Sequence, residues 1–155
     1  QNKHAEAEPL YLRALKIYQA VHGETHADVA ATLNNLGVLY RRHGQYADAE
    51  PLLVRAVAIK ETVFGPDHLE LALTLKNLAQ LYAGQGQFAK AEPLLRRIVS
   101  IREKAQGAVH PDVARSLDEQ AMLLRQMKRE KEAEPLEIRS QSIRMNQTRS
   151  APSSN

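Results

Sequence analysis

Cysteine is absent from these 155 residues, so no disulfide framework, thiolate metal centre or cysteine nucleophile can exist, and cysteine usage leaves the redox compartment open. Aromatic side chains make up only 5%, and neither sign of charge dominates: 21 Lys and Arg stand against 18 Asp and Glu, a formal net charge of +3. That balance argues against a sequence-wide polyelectrolyte for nucleic acid, so any attraction for anions must come from local placement. No apolar run approaches the ~20 residues a membrane-spanning helix needs. The opening Gln1-Asn2-Lys3-His4 has neither the apolar core of a signal segment nor an initiator Met. The expectation is a segment of a longer protein, with the cytoplasm as the working location. What is present, 43% hydrophobic and 25% charged residues, suits one folded domain.

The dominant feature is a repeat. Ala-Glu-Pro-Leu begins at Ala7, Ala49, Ala91 and Ala133, always 42 residues apart. Gly23, Gly65 and Gly107 keep the step, as do His26, His68 and His110, then Ala30, Ala72 and Ala114, and the pair Gly44 and Gly86. Residues 23–64 laid on 65–106 share 21 identities, whereas 65–106 laid on 107–148 share 14. A fixed period of this size is the signature of a stacked repeat architecture.

Inside each unit the spacing is helical. Val29, Leu33, Leu36 and Tyr40 form one stripe at about 3.6 residues per turn, and Leu52, Leu53, Ala56, Val57 and Ile59 supply a second. Gly44-Gln45 separates the two at a tight turn. First helices are expected near 27–42, 69–84 and 111–127, and second helices near 5–21, 47–63, 89–105 and 131–145. Pro9, Pro51, Pro93 and Pro135 are expected near the first turn of the second helices, where a missing amide hydrogen costs little. Gly37, Ala79 and Ala121, with Ala49, Ala91 and Ala133, mark where backbones cross closely. A lone hairpin cannot bury both apolar faces, so the hairpins must stack. The expected fold is all-α: a right-handed α–α superhelix of seven antiparallel helices, three full hairpins plus an orphan N-terminal second helix. Its span is 1–146, with the orphan helix at 4–22, repeats at 23–64, 65–106 and 107–146, and a disordered tail at 147–155. Glu137, Ser140 and Gln141 replace Leu95, Ile98 and Val99 in the last helix, as a polar outer cap.

The run Leu33-Asn34-Asn35-Leu36-Gly37-Val38-Leu39-Tyr40, followed by Gly44-Gln45-Tyr46-Ala47-Asp48-Ala49-Glu50, resembles the tetratricopeptide repeat. The longer period, and the linker Gly65-Pro66-Asp67-His68-Leu69-Glu70-Leu71-Ala72, are similar to the kinesin-light-chain type of that repeat. The third unit departs from the pattern: Gln120 stands where Leu36 and Leu78 do, Leu124 replaces the tyrosine of Tyr40 and Tyr82, and Lys128 replaces the turn glycine. No heptad segment for binding a motor is present, so the resemblance implies a repeat scaffold and not a motor subunit.

The resemblance implies an inner, concave surface lined by the first helices, and the helical wheel supports this. The candidate stripe holds Ala31, Asn34, Asn35, Val38, Arg41 and Arg42, then Leu73, Lys76, Asn77, Gln80 and Ala83, then Arg115, Asp118, Glu119, Met122 and Arg125. Its excess of cations over anions points to an acidic peptide segment as ligand. Asn34, Asn35 and Asn77 are placed to pair with a peptide backbone, and Arg41, Arg42 and Lys76 to read carboxylates. The alternative for Asn35 or Asn77 is a bond to a neighbouring repeat. Val38, Leu73 and Met122 suit either an anchoring pocket or inter-repeat packing.

Catalysis finds no support: no nucleophile sits near a base, the glycines are spaced as turns, and Glu50, Glu92 and Glu134 recur in register like structural parts. His26, His68 and His110 fall in separate linkers about 10 Å apart, the spacing of helix layers, which argues against a shared metal and for helix capping. His22 and His26 straddle Gly23 and are not expected to share a helix face. The expected function is therefore a non-catalytic scaffold for a protein or peptide partner, without cofactor or metal, nucleic acid or membrane. Self-association through the exposed N-terminal helix is the alternative, motivated by Tyr11, Leu12, Leu15 and Tyr18.

Overall fold

Turns that only a left-handed residue closes easily set the helix boundaries. Gly44 and Gly86 adopt φ values of 74° and 71°, a region where a Cβ is strained. Lys128 makes the same turn in the third unit at φ 58°, so the hairpin survives the loss of its glycine. The computed structural model describes residues 2–150, with side chains over 6–147. Among the described residues there are seven helices and no strand: α1 (Asn2–His22), α2 (Ala27–Arg42), α3 (Tyr46–Phe64), α4 (Glu70–Gly84), α5 (Phe88–Gln106), α6 (Pro111–Gln126) and α7 (Glu130–Ser150). Consecutive helices pack on one another along the whole chain, and α2 also touches α4, which is the nearest-neighbour logic of a solenoid.

Both apolar stripes are inside. Val29, Leu33, Leu36, Leu53 and Ala56 are buried, and their counterparts Leu71, Leu75, Leu78, Leu95 and Ile98 continue the core one step along. Gly37 is required by closeness: a Cβ there would stand 2.7 Å from Leu53 Cγ, so α2 and α3 cross where only a hydrogen fits.

The linker histidines cap the first helices, as expected. His26, His68 and His110 each accept the amide hydrogen two residues on, at Asp28, Glu70 and Asp112, through Nδ1 at 3.2 Å. Side chains also tie each linker to the hairpin that follows. Arg97 reaches Glu61 and donates to the Pro66 carbonyl at 2.7 Å. Arg139, one repeat on, reaches Glu103 at 2.5 Å and the Ala108 carbonyl at 3.4 Å.

Three expectations are corrected. Pro51, Pro93 and Pro135 lie inside α3, α5 and α7, each at the sixth helical residue, where a missing N–H removes a bond to the carbonyl four back. These prolines are exposed, as are Ala47, Ala89 and Lys131 four residues back, so water can serve the carbonyls left over. Ser140 is not part of a polar outer face: it is fully buried and donates to the Ala114 carbonyl at 3.1 Å. Finally, α7 runs to Ser150, into the stretch expected to be a tail from 147. Ile143 is buried against Val99 and Val113, and Gln147 Nε2 donates to the Val109 carbonyl at 3.1 Å, which holds the late turns in place. The rest of the expected tail, 151–155, lies outside the described residues.

Candidate functional site

Helices α2, α4 and α6 lie side by side because each is the first helix of its hairpin, and polar side chains bridge them. Asn77 Nδ2 donates to Asn34 Oδ1 at 2.8 Å, and Lys76 pairs with Glu119 one repeat on. Asp118 in turn meets Arg144 of α7. Asn34 is only 7% exposed, and its Nδ2 points to Asn35 Oδ1 at 3.4 Å. Asn77 thus takes the neighbouring-repeat role left open for it, with Asn34 as the partner, while Asn35, for which the same role was left open, stays exposed.

Shallow clefts mark the face. Ala7 and Tyr11 of α1 border one, with Asn35, Val38, Leu39 and Arg42. A second, of about 180 Å³, lies between α4 and α6, with Lys76, Gln80 and Glu119 at its polar edge and Ala79, Ala83, Leu95, Met122 and Leu123 as apolar lining. Asp118, Met122, Arg125, Gln126 and Glu137 bound a third, which shares Met122 and Gln126 with the second. Met122 is 63% exposed between the two. Leu73, 60% exposed, lies on α4 outside these linings, and Arg115 turns back to Asp112 on its own helix.

Ion pairing changes the electrostatics read from the sequence. Arg125 clamps Glu137 through Nε and Nη2 at 2.6 Å each, and this guanidinium holds the Glu137 carboxyl below the usual range. Lys76 and Arg115 are also paired. Arg41 and Arg42 have no carboxylate partner among the described residues. The Arg41 Nε is shielded from solvent with no hydrogen-bond partner. Burial first, then the adjacent Arg42 charge, pulls the Arg41 pKa below its ordinary value. The unneutralised positive charge of this face is therefore gathered at the C-terminal end of α2.

Sequence reasoning missed Tyr11, Leu95, Gln126 and Glu137, which come from second helices or a helix end; register alone held the signal, since Tyr11, Leu95 and Glu137 occupy one repeat position. His22 ends α1 and His26 precedes α2, so the two share no helix face, as expected, but spacing gave no sign of how near they come. Gly23, at φ 82°, folds the chain back, and their rings stack with centroids 4.3 Å apart.

A chain of stacked helical hairpins with a clefted first-helix face is an α-solenoid scaffold. The tetratricopeptide-repeat model matches residues 1–62, 50–104 and 85–145, and the chain belongs to that family, whose members are in general protein–protein interaction scaffolds. Among solved structures, BtubC (BKLC) from P. vanneervenii is similar at TM-score 0.88 and 22% identity, covering 99% of this chain and 61% of its own. A Podosopora anserina protein with nearly identical TPR-like repeats, described by likeness to kinesin light chain, is similar at TM-score 0.81 and 26% identity, over 96% of this chain and 71% of its own. A variant of that protein with one glutamine replaced by methionine gives TM-score 0.82 at 26% identity, over 96% and 70%. The chain thus spans about three fifths of BtubC. No curated protein matches it in sequence. No helix among the described residues is long and apolar enough to cross a membrane.

Proposed function

We propose that the chain is a non-catalytic scaffold that binds an acidic peptide segment of a partner protein across the face of α2, α4 and α6. The observation that carries this reading is the contrast between Arg41 and Arg42, which lack carboxylates, and Lys76, Arg115 and Arg125, which have them. The exposed Arg42 guanidinium, with no carboxylate of its own, is an open donor for a ligand carboxylate, and Arg41 adds positive charge beside it. The ligand then carries its acidic residues over the end of α2, and one aliphatic side chain in the cleft of Lys76, Ala79, Ala83, Leu95 and Met122. Asn35 and Gln80, both exposed, remain to meet the peptide backbone. The roles first assigned to Asn34 and Asn77 pass to them. Amide chemical-shift mapping with an extended acidic peptide bearing one central leucine tests this. Perturbations should cluster at Asn35, Arg41, Arg42, Gln80 and Met122. Perturbations confined to α3, α5 and α7 would remove the face from consideration.

A second reading rests on Ile17. Its register counterparts Ile59, Ile101 and Ile143 are 5%, 0% and 3% exposed, whereas Ile17 is 50% exposed, beside Leu10 at 66% and Val21 at 68%. Exposed apolar surface of this kind favours association with another chain, so self-assembly through α1 is the alternative function.

A further inference from the structure

The linker between α1 and α2 differs from the two that follow in a way that packing does not demand. Capping is common to all three histidines. A ring four residues earlier stacks on the histidine in two of them: Phe64 on His68 with centroids 5.1 Å apart, and His22 on His26 at 4.3 Å. A phenyl ring therefore suffices for the stack. Only the first linker uses an imidazole there, and a carboxylate completes the group: Asp28 Oδ2 lies 3.8 Å from His22 Nε2 and 3.3 Å from His26 Nδ1. Ligand atoms of all three residues fall within 4.8 Å of one another, the one such group of histidines and carboxylates among the described residues.

We propose that His22, His26 and Asp28 form a binding site for a single divalent transition-metal ion of the zinc type. Two imidazoles and one carboxylate are a donor set that zinc accepts, and bonds of about 2.0–2.1 Å at a tetrahedral angle put ligand atoms roughly 3.4 Å apart. The separations from Asp28 already bracket that value. The rings are inclined by only 21°, and nitrogen lone pairs lie in the ring plane, so binding turns an imidazole about its Cβ–Cγ bond. His26 Nδ1 then exchanges the Asp28 amide for the ion. Side-chain exposures of 37%, 44% and 50% for His22, His26 and Asp28 leave room for that rotation and for water as a further ligand. A bound ion ties the last residue of α1 to the first turn of α2, bracing the N-terminal helix independently of the peptide face.

Calorimetric titration of untagged protein with zinc chloride in a non-chelating buffer tests the site, with no cysteine to compete. One ion per chain is expected, with a Tm that rises with zinc. His22→Phe keeps the ring stack in the manner of Phe64, and Asp28→Asn keeps the side-chain shape. Each should weaken binding by at least about tenfold and remove the Tm rise, while His68→Gln, in the next linker, should change neither. The proposal is overturned if no saturable one-to-one binding occurs, if either of the first two variants binds as tightly as the parent, or if His68→Gln loses as much as His22→Phe.

Discussion

Tyr82 Oη donates to Glu50 Oε1 at 3.0 Å across the boundary between two hairpins, and Tyr40 repeats the bond to Glu8 at 2.7 Å, one register step earlier. The recurring glutamate is thus a joint between repeats. In the third unit Leu124 stands where the tyrosine was, and Arg129 takes over Glu92 at 2.5 Å. The joint changes its donor while keeping its acceptor.

Removing one of these hydroxyls should therefore weaken the stack. Tyr82→Phe leaves Glu50 with Lys90 at 3.6 Å and should cost about 1.5–3 kcal/mol, as for a hydrogen bond to a charged acceptor. Urea unfolding measures it; an unchanged midpoint would show that the bond carries no stability.

The same joints predict an alkaline weakness. Burial and the Glu50 acceptor push Tyr82 up to about 12, and the Glu8 bond, then burial, does the same for Tyr40. Their contribution is full below the ordinary value of 10.0 and declines as pH rises from there towards 12, because the unfolded chain gives up the proton first. Urea midpoints at about pH 9 and about pH 11 should differ more in the parent than in the Tyr40→Phe, Tyr82→Phe double variant.

Gly37→Ala should be destabilising although alanine is the better helix former by about 1 kcal/mol. The new Cβ meets Leu53 Cγ at 2.7 Å and the Ala49 carbonyl at 3.3 Å, and overpacking of this kind costs roughly 1–3 kcal/mol. A thermal melt showing a gain in Tm would mean that α2 and α3 separate more freely than their packing indicates.

Ile17 offers a test of self-assembly. Sedimentation should show association that grows with protein concentration, and Ile17→Lys should abolish it without loss of helicity, since the side chain is half exposed. A parent chain that stays monomeric throughout would discard this second reading.

Period and apolar stripe made the fold legible from sequence: Val29, Leu33 and Leu36 are where the helical wheel puts them, and all seven helices fall where they are expected, with only α7 running well past its expected end. The face was legible as a surface and less so as a charge pattern. Lys76 is read as a free cation until Glu119, 43 positions on, is seen beside it, and such a pairing depends on how far adjacent repeats slide past one another. Ser140 looked like a cap residue because polarity alone does not say whether a carbonyl waits inside; Ala114 supplies one. The approach of His22 to His26 depended on the direction in which Gly23 turns the chain, which spacing does not encode.

The central claim is that positive charge left open at the end of α2 captures an acidic segment. Calorimetric titration of the extended acidic peptide into the parent and into an Arg41→Glu, Arg42→Glu double variant tests it most directly. Lost charge-assisted hydrogen bonds worth about 1.5–3 kcal/mol each should weaken affinity at least about tenfold, and binding to the parent should fall as salt rises. Equal affinity for both proteins, or binding indifferent to salt, would contradict the account.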